Sequence, residues 1–507
     1  MAERKFYITT AIDYVNQKPH LGTAYEKIGA DVMARYKRMC GYDTLFLMGN
    51  DEHSTNVERE ARKKGQDPFE YCRRMSGEFR EVWSVLNISY DDFIHTTEQR
   101  HIDSVRKLFG KIHDAGYIFR DRYRGYYCES CEEFITEADL EDGMCPRHRE
   151  EPKVIDEENY FFALSKFEKP LLELIESTPG FIEPKKRENE IVNVIKDGLR
   201  DVSISRIGKE WGIPLPTDED HVIYVWFDAL TNYISALGYG DDDQLYRKYW
   251  PADVHVIGKD ITRFHCIIWP AMLMAAGEPV PRKIFAHGFI SLSGEKMSKT
   301  RGNVLDPEEL EKMFGAEALR YLLLREVPFD GDGDISIEIL KNRYNTELAN
   351  ELGNLLSRTA SMIVKYLDGE VPRGGFNSRS QLYPEVAEGV RSYREYMEQM
   401  RFSRALGAFW PVIQRGNKYI EENKPWELAK NDGSREELEE IFRQLLVVLR
   451  CAGTVLTPFL PEKMAIMLEI LGEPGLSPEE LPPDQAGISG LEKISPLFPR
   501  LKSDEQD

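Results

Sequence analysis

A parallel α/β fold, split by an insertion and followed by a helical bundle, is the architecture the sequence predicts. Three observations predict it. The chain opens as strand, loop, helix, strand: KFYITTA (Lys5 to Ala11) is β-rich, and TLFLMG (Thr44 to Gly49) is a short apolar run of the kind buried in a parallel sheet. A second α/β stretch resumes at VIYVWF (Val222 to Phe227) and VHVIGKD (Val254 to Asp260), after irregular sequence from about Tyr117 to Trp211. Beyond Glu338 strand signals fade, and long helical patterns run over Tyr344 to Tyr366, Glu395 to Glu422 and Arg435 to Leu456.

Each element has a local reason. Pro19-His20-Leu21-Gly22 leads into the first helix, where Ile28, Val32, Tyr36 and Met39 recur near helical spacing and Gly41 suits the residue after the end. With a βαβ start, the binding crevice belongs at the strand C-terminal ends. The loops Asp13–Gly22 and Asn50–Thr55 both open there. A βα segment near Ile284–Gly288 precedes a loop of Gly, Ser and Lys. From Gly472 onward Pro and acidic residues dominate, and LEKISPLFPRLK (Leu491 to Lys502) is expected to dock back.

Composition bounds the answer. At roughly 150 residues per domain, 507 residues suggest about three domains. A 41% hydrophobic, 30% charged chain is globular, and no apolar run nears the ~20 residues of a membrane span. MAERKFYITT has no apolar stretch behind a basic start, and KSDEQD carries no lipidation box, so a cytoplasmic location is expected. A net charge of −21 argues against indiscriminate nucleic-acid binding. Lys341 to Lys430 departs from it, with 14 Lys and Arg against 11 Asp and Glu, and can approach a polyanion more cheaply.

Seven cysteines are too few for a disulfide scaffold. Cys40, Cys72, Cys266 and Cys451 are scattered in apolar patterns. Cys128-Glu-Ser-Cys131 and Cys145-Pro-Arg-His148, with thirteen residues between, instead supply three thiolates and an imidazole, a set suited to tetrahedral Zn²⁺. Four protein ligands leave no open position, so the expected metal is one structural zinc that adds folding energy to a core-poor segment.

Two short segments carry phosphate chemistry. His20-Leu21-Gly22-Thr23 sits at a helix start, where exposed N–H groups and the helix dipole favour an anion and Gly permits close approach. Alone it reads more readily as a capped helix. Lys296-Met297-Ser298-Lys299-Thr300, between Gly294 and Gly302, is a cationic loop able to close over a polyphosphate; alone it could equally be a solvated basic turn.

Taken together, HLGT and KMSKT resemble the two signatures of class I aminoacyl-tRNA synthetases, HIGH and KMSKS, in the right order and on either side of an insertion. The contexts TTAIDYVNQKPHLG, GNDEH, IYVWFDALTNYI, GKDITRFHCIIWPAML, HGFISLSGEKMSKTRGNV and NKPWELAK resemble the methionyl-tRNA synthetase family. They span about Thr9 to Lys430, and PLFPRLK resembles the end of the family's core. Two positions depart from the signatures: Thr23 stands in place of the second His, and Thr300 in place of the final Ser.

The resemblance implies a Rossmann-type sheet, a zinc-bearing connective insertion and an anticodon-binding helical bundle. It implies activation of L-methionine by ATP with Mg²⁺, then transfer to the terminal adenosine of tRNA(Met). His20, Lys296 and Lys299 would be catalytic, with Gly22, Thr23, Gly258 and Asp260 also binding ATP. Ile12, Tyr14, Asp51, Trp226, Ala229, Tyr233, Ile261 and His265 match the methionine pocket, Asp51 facing the substrate ammonium. Aromatic walls suit a polarizable thioether. Asn354, Arg358 and Trp426 match the anticodon readers, where an indole can stack on an unpaired base. Out of this context each aromatic reads as core packing.

The expected division is 1–116 and 221–325 for the two catalytic halves, 117–220 for the insertion and 326–345 for a stem-contact linker. The anticodon-binding bundle is expected over 346–475 and a tail over 476–507. A monomer is expected, without an obligate protein partner or membrane. Two competing readings are a sister synthetase for another apolar amino acid and a catalytically silent tRNA-binding paralogue. The first usually carries a larger editing insertion, and the second should not retain His20, Lys296 and Lys299.

Overall fold

The first segment builds a parallel sheet from β1 (Lys5–Thr10), β2 (Asp13–Tyr14), β3 (Asp43–Asp51) and β4 (Asp92–His95), with α1 (Leu21–Met39) crossing between β2 and β3. This arrangement comes from a computed structural model. It describes residues 4–128, 133–135, 137, 140–146, 149–208, 210–292, 295–296, 306–431, 433–472 and 476–501. β1 pairs with β3 from Lys5↔Asp43 to Thr9↔Leu47, and β4 adds to the far edge of β3 from Leu47↔Asp92. On the other side of β1 lies the strand Val254–Gly258, paired from Ile8↔Val254, and beyond it Ile284–His287.

The chain thus winds outward one way from β1 through β3 to β4, then returns on the opposite side of β1. That reversal is a topological switch point, and the crevice it opens lies beyond the C-terminal ends of β1 and Val254–Gly258. Apolar runs form these strands because both faces are covered; Tyr7, Ile8, Phe46, Leu47, Val256 and Ile257 are all buried.

The insertion is a long antiparallel ribbon of β5 (Ile118–Cys128) and β7 (Lys153–Phe162), with β6 (Glu133–Ile135) paired to the end of β5. Two helices follow, Glu168–Ser177 and Lys185–Lys196. Between them β8 (Ile182–Glu183) pairs in parallel with Ile284–His287, so this segment supplies an edge strand to the main sheet.

The C-terminal part is helical: Asn354–Leu367, Tyr383–Glu398, Phe402–Asn423, Arg435–Leu456 and Pro461–Ile470. The single helix predicted over 395–422 is two. The first stops at Glu398, Met400 takes φ +54, and Phe402 starts the next. A left-handed residue cannot continue a right-handed helix. One apolar core runs from Ile28 and Val32 on α1 through Leu319 and Leu322 to Leu445 and Val448 of the bundle. At this junction fully buried Arg320 donates to Asp31 at 2.5 Å and to the Pro458 and Phe459 carbonyls at 3.0 and 3.2 Å. Farther on, Gln485–Ile488 pairs with Val371–Gly375, and Leu497 and Phe498 are buried. No described helix is long and apolar enough to cross a membrane.

Candidate active site

His20 is the N-cap of α1, and its Nδ1 accepts from the Thr23 backbone N–H at 3.1 Å. The Thr23 hydroxyl lies 3.3 Å from the same nitrogen. Accepting there leaves Nδ1 without a proton. Gly22 makes the pose possible: a Cβ at that position would fall 3.0 Å from His20 Cε1 and 3.1 Å from Nδ1. The capped-helix reading and the phosphate reading of HLGT therefore share one geometry, an exposed imidazole folded over a helix N-terminus.

Across the crevice, Val254–Gly258 ends at Gly258, where a Cβ would come 2.6 Å from Asp260 Oδ1. The glycine lets the exposed Asp260 carboxylate fold back over the strand end. β2 lies beside β3 with Tyr14 opposite Asp51, which is buried. Gly49 lets β4 approach closely, since a Cβ there would be 2.3 Å from the Ile94 carbonyl oxygen, and Ile12 Cγ2 would lie 2.9 Å away.

The opposite wall is aromatic. Trp226 stacks on Phe264 at 3.7 Å and 8°, and Tyr14 meets Trp226 edge-on at 6.4 Å. Tyr233 Oη and His265 Nε2 are 2.7 Å apart, and His265 Nδ1 is 3.1 Å from the Ile261 carbonyl. A carbonyl only accepts, so Nδ1 carries the imidazole proton and Tyr233 donates to Nε2. Burial holds His265 down at about 4 and raises the Tyr233 phenol. His255 backs Tyr233 at 4.1 Å, and Asn232 Nδ2 holds the Ala229 carbonyl at 2.6 Å. Ile12, Tyr14 and Asp51 thus stand on or beside β2 and β3, Trp226, Ala229, Tyr233, Ile261 and His265 on helical segments after the insertion, and the edge-on contact of Tyr14 with Trp226 joins the two groups.

Several residues here escaped the sequence reading. Phe264, beside His265 in the quoted GKDITRFHC segment, is the stacking partner of Trp226. Asp228 accepts from His53 at 2.7 Å and His101 at 2.6 Å; burial opposes its charge, but the two imidazoles keep the carboxyl below its usual range. Trp211 donates to the Glu52 carbonyl at 2.6 Å, next to Asp51. On the crevice floor, fully buried Lys27 donates to the Ala11 carbonyl and Glu26, both at 2.7 Å, and pairs with Asp13 at 3.1 Å. Glu26 also lies 3.1 Å from His287 Nε2. Burial opposes the charge on Glu26, yet Lys27 and His287 hold its carboxyl at about 2.

Lys296 lies in the strand Glu295–Lys296, opposite Ser291. Lys299, and the side chain of Lys296, lie outside the described residues. So do Cys131 and His148 of the expected zinc set. The other two ligands, Cys128 at the end of β5 and Cys145, are buried together in a small cluster with Tyr126 and Leu140, separate from both main cores.

In the bundle, Asn354 is exposed on the helix that also carries Arg358. Arg358 donates to Glu421 of the helix Phe402–Asn423 at 2.6 Å. Trp426 follows Lys424, whose φ of +44 ends that helix. It stands half-buried against the bundle core, so part of the ring remains accessible.

The profile of the family "tRNA synthetases class I (M)" matches residues 6–154 and 137–360, and that of "Anticodon binding domain of methionyl tRNA ligase" matches 371–487. The methionine--tRNA ligase of Caldanaerobacter subterraneus is 48% identical over 475 residues, covering 93% of this chain and 74% of that protein. That of Clostridium acetobutylicum is 43% identical over 511 residues, covering 99% and 79%. The structure is similar to Mycobacterium tuberculosis methionyl-tRNA synthetase in complex with methionyl-adenylate, with a TM-score of 0.94 and 40% identity over 98% of this chain and 100% of that one.

Proposed function

The chain belongs to the class I methionyl-tRNA synthetases, and from that premise we propose which of its residues carry the two half-reactions. It activates L-methionine with ATP to methionyl-adenylate and transfers the methionyl group to the terminal adenosine of tRNA(Met). The observation that carries the residue assignment is one crevice at the sheet's switch point. It joins an aromatic pocket with a buried carboxylate to a helix N-terminus bearing an imidazole.

In the first step a methionine carboxylate oxygen attacks the α-phosphorus of ATP. The new P–O bond forms as the bond to the bridging oxygen breaks, and pyrophosphate leaves with the electron pair. The nucleophile is already ionised, so no general base is needed; alignment and charge neutralisation are. His20, Gly22 and Thr23 take the phosphates at the start of α1, and Lys296 and Lys299 neutralise the leaving pyrophosphate. Gly258 and Asp260 receive the ribose, where a carboxylate can accept hydroxyl protons. Mg²⁺ arrives with ATP and supplies further positive charge.

Asp51 holds the substrate ammonium. Ile12, Tyr14, Trp226, Ala229, Tyr233, Ile261 and His265 enclose the thioether side chain; a neutral imidazole held by Tyr233 suits an uncharged ligand. In the second step a ribose hydroxyl of the terminal adenosine attacks the activated carbonyl; the ester forms as the bond from the carbonyl carbon to the phosphate oxygen breaks, and AMP leaves with the electron pair, its phosphate taking up the hydroxyl proton. Asn354, Arg358 and Trp426 read the anticodon.

A structural zinc held by Cys128, Cys131, Cys145 and His148 would fix the tip of the insertion. Its support is the pair of buried thiols set apart from either core, a soft donor set that fits zinc. The boundaries 117–220 for the insertion and 346–475 for the bundle belong to the same proposal, as do a monomer and a cytoplasmic location. The test is charging of tRNA(Met) transcripts with labelled methionine, AMP and pyrophosphate forming in step. An intact anticodon should be required, and equal charging of a transcript with an altered anticodon would overturn the assignment.

A further inference from the structure

Lys27 has no side-chain exposure, yet its ammonium reaches three acceptors on both sides of the crevice floor. It donates to the Ala11 carbonyl at the exit of β1, pairs with Asp13 on β2, and donates to its neighbour Glu26 on α1. Glu26 in turn meets His287 at the end of the strand Ile284–His287. One buried cation therefore ties α1 to β1 and β2, and through Glu26 to a third strand end.

The location gives this tie a meaning. Ala11 and Asp13 flank Ile12, and Asp13 immediately precedes Tyr14, so they carry one wall of the proposed methionine pocket. Lys27 sits about two turns along α1, whose N-cap is His20. The methionine carboxylate belongs to the first side and the α-phosphorus to the second, and the reaction requires the two in line. Burying an ammonium is strongly unfavourable unless acceptors surround it. Here two carboxylates and a carbonyl do so, and removing the cation would leave Asp13 and Glu26 facing one another.

We infer that Lys27 is a positioning residue for adenylation: it sets the register between the methionine wall on β1 and β2 and the phosphate-binding start of α1. It touches neither substrate and acts through the Ala11 carbonyl, Asp13 and Glu26. This rests on the assignment of the methionine wall and the phosphate end above. Each substrate alone can find its own half-site, so the loss on breaking the tie appears where both must align, in the transition state.

The test compares wild type, Lys27→Gln, Asp13→Asn and the double variant Asp13→Asn/Lys27→Gln, which removes a carboxylate together with the cation. Methionine-dependent ATP–pyrophosphate exchange is measured per competent site, with sites counted by burst formation of adenylate and folding followed by thermal midpoint. In Lys27→Gln and the double variant, kcat per site should fall about tenfold to a hundredfold, with KM for methionine and for ATP within about threefold. Asp13→Asn, which removes one of the two negative charges on Lys27 but keeps an amide oxygen beside it, should lose less, about threefold to tenfold.

A merely structural lysine would lower the number of competent sites and the thermal midpoint while leaving kcat per site intact, and that result overturns the inference. So does a rise in methionine KM at unchanged kcat. Should Lys27→Gln fail to fold, Asp13→Asn decides alone: an unchanged kcat per site refutes the tie. Absence of methionine-dependent exchange in wild type would refute the functional assignment instead, and so is distinguishable.

Discussion

Tyr233 donates its hydroxyl proton to His265 Nε2 across 2.7 Å, while the opposite ring nitrogen is held by the Ile261 carbonyl at 3.1 Å. Both edges of a buried imidazole are thereby occupied, and its orientation in the pocket is fixed. Tyr233→Phe removes the only proton offered to Nε2 in this pair and leaves a buried acceptor unsatisfied, at a cost of about 1–3 kcal/mol. Methionine affinity should fall by about tenfold, with ATP affinity unchanged. Methionine titrations of both proteins, with and without a non-hydrolysable ATP analogue, check this.

The same pair has a pH signature. Burial holds His265 at about 4, below the ordinary histidine value near 6.5. Between those values the unfolded chain binds a proton that the folded chain refuses, so stability is lost as pH falls from about 6.5 towards 4. Other groups titrate in that window, so the informative quantity is a difference. Wild type should lose stability relative to His265→Asn as pH drops through it, and the difference should be flat above about pH 7. Urea unfolding of both proteins across the range measures it.

The zinc proposal predicts about one metal per chain, held by Cys128, Cys131, Cys145 and His148. Cys145→Ala should lower the metal content and loosen the tip of the insertion, while exchange activity largely survives because a closed shell takes no part in the chemistry. Elemental analysis and hydrogen exchange over β5 and β7 check it. A metal-free wild-type protein would refute the proposal.

How much of this could be read from sequence depends on whether the cause was local. HLGT is a short segment whose capping geometry lies within a few residues, and the helical signals at Ile28, Val32 and Tyr36 depend only on spacing. What escaped was set by distant partners. β8 joins the main sheet by pairing with residues a hundred positions later, which no local pattern announces. Lys27 and Glu26 look like ordinary polar positions of an amphipathic helix until the fold brings Asp13 and His287 to them. The break at Met400 was hidden because apolar spacing continued across it.

Trp426 separates the two ends of the molecule. It is half-buried and belongs to the bundle rather than to the sheet. If it stacks on an anticodon base, Trp426→Ala should cost about 1–3 kcal/mol in tRNA recognition, roughly tenfold to a hundredfold in aminoacylation. Methionine-dependent exchange should be nearly intact. A tryptophan serving only as packing would behave otherwise, lowering thermal stability and both activities together.

In the proposed site one crevice joins methionine's carboxylate to the α-phosphate of ATP, with His20 at the phosphate end. ATP–pyrophosphate exchange by the purified chain, with each apolar amino acid offered in turn and repeated with His20→Ala, tests it most directly. Exchange with methionine should run far above that with leucine, isoleucine or valine. In His20→Ala kcat should drop by about a hundredfold or more, with methionine affinity within about threefold. Exchange driven equally by another apolar amino acid, or a His20→Ala enzyme that retains its kcat, would contradict it.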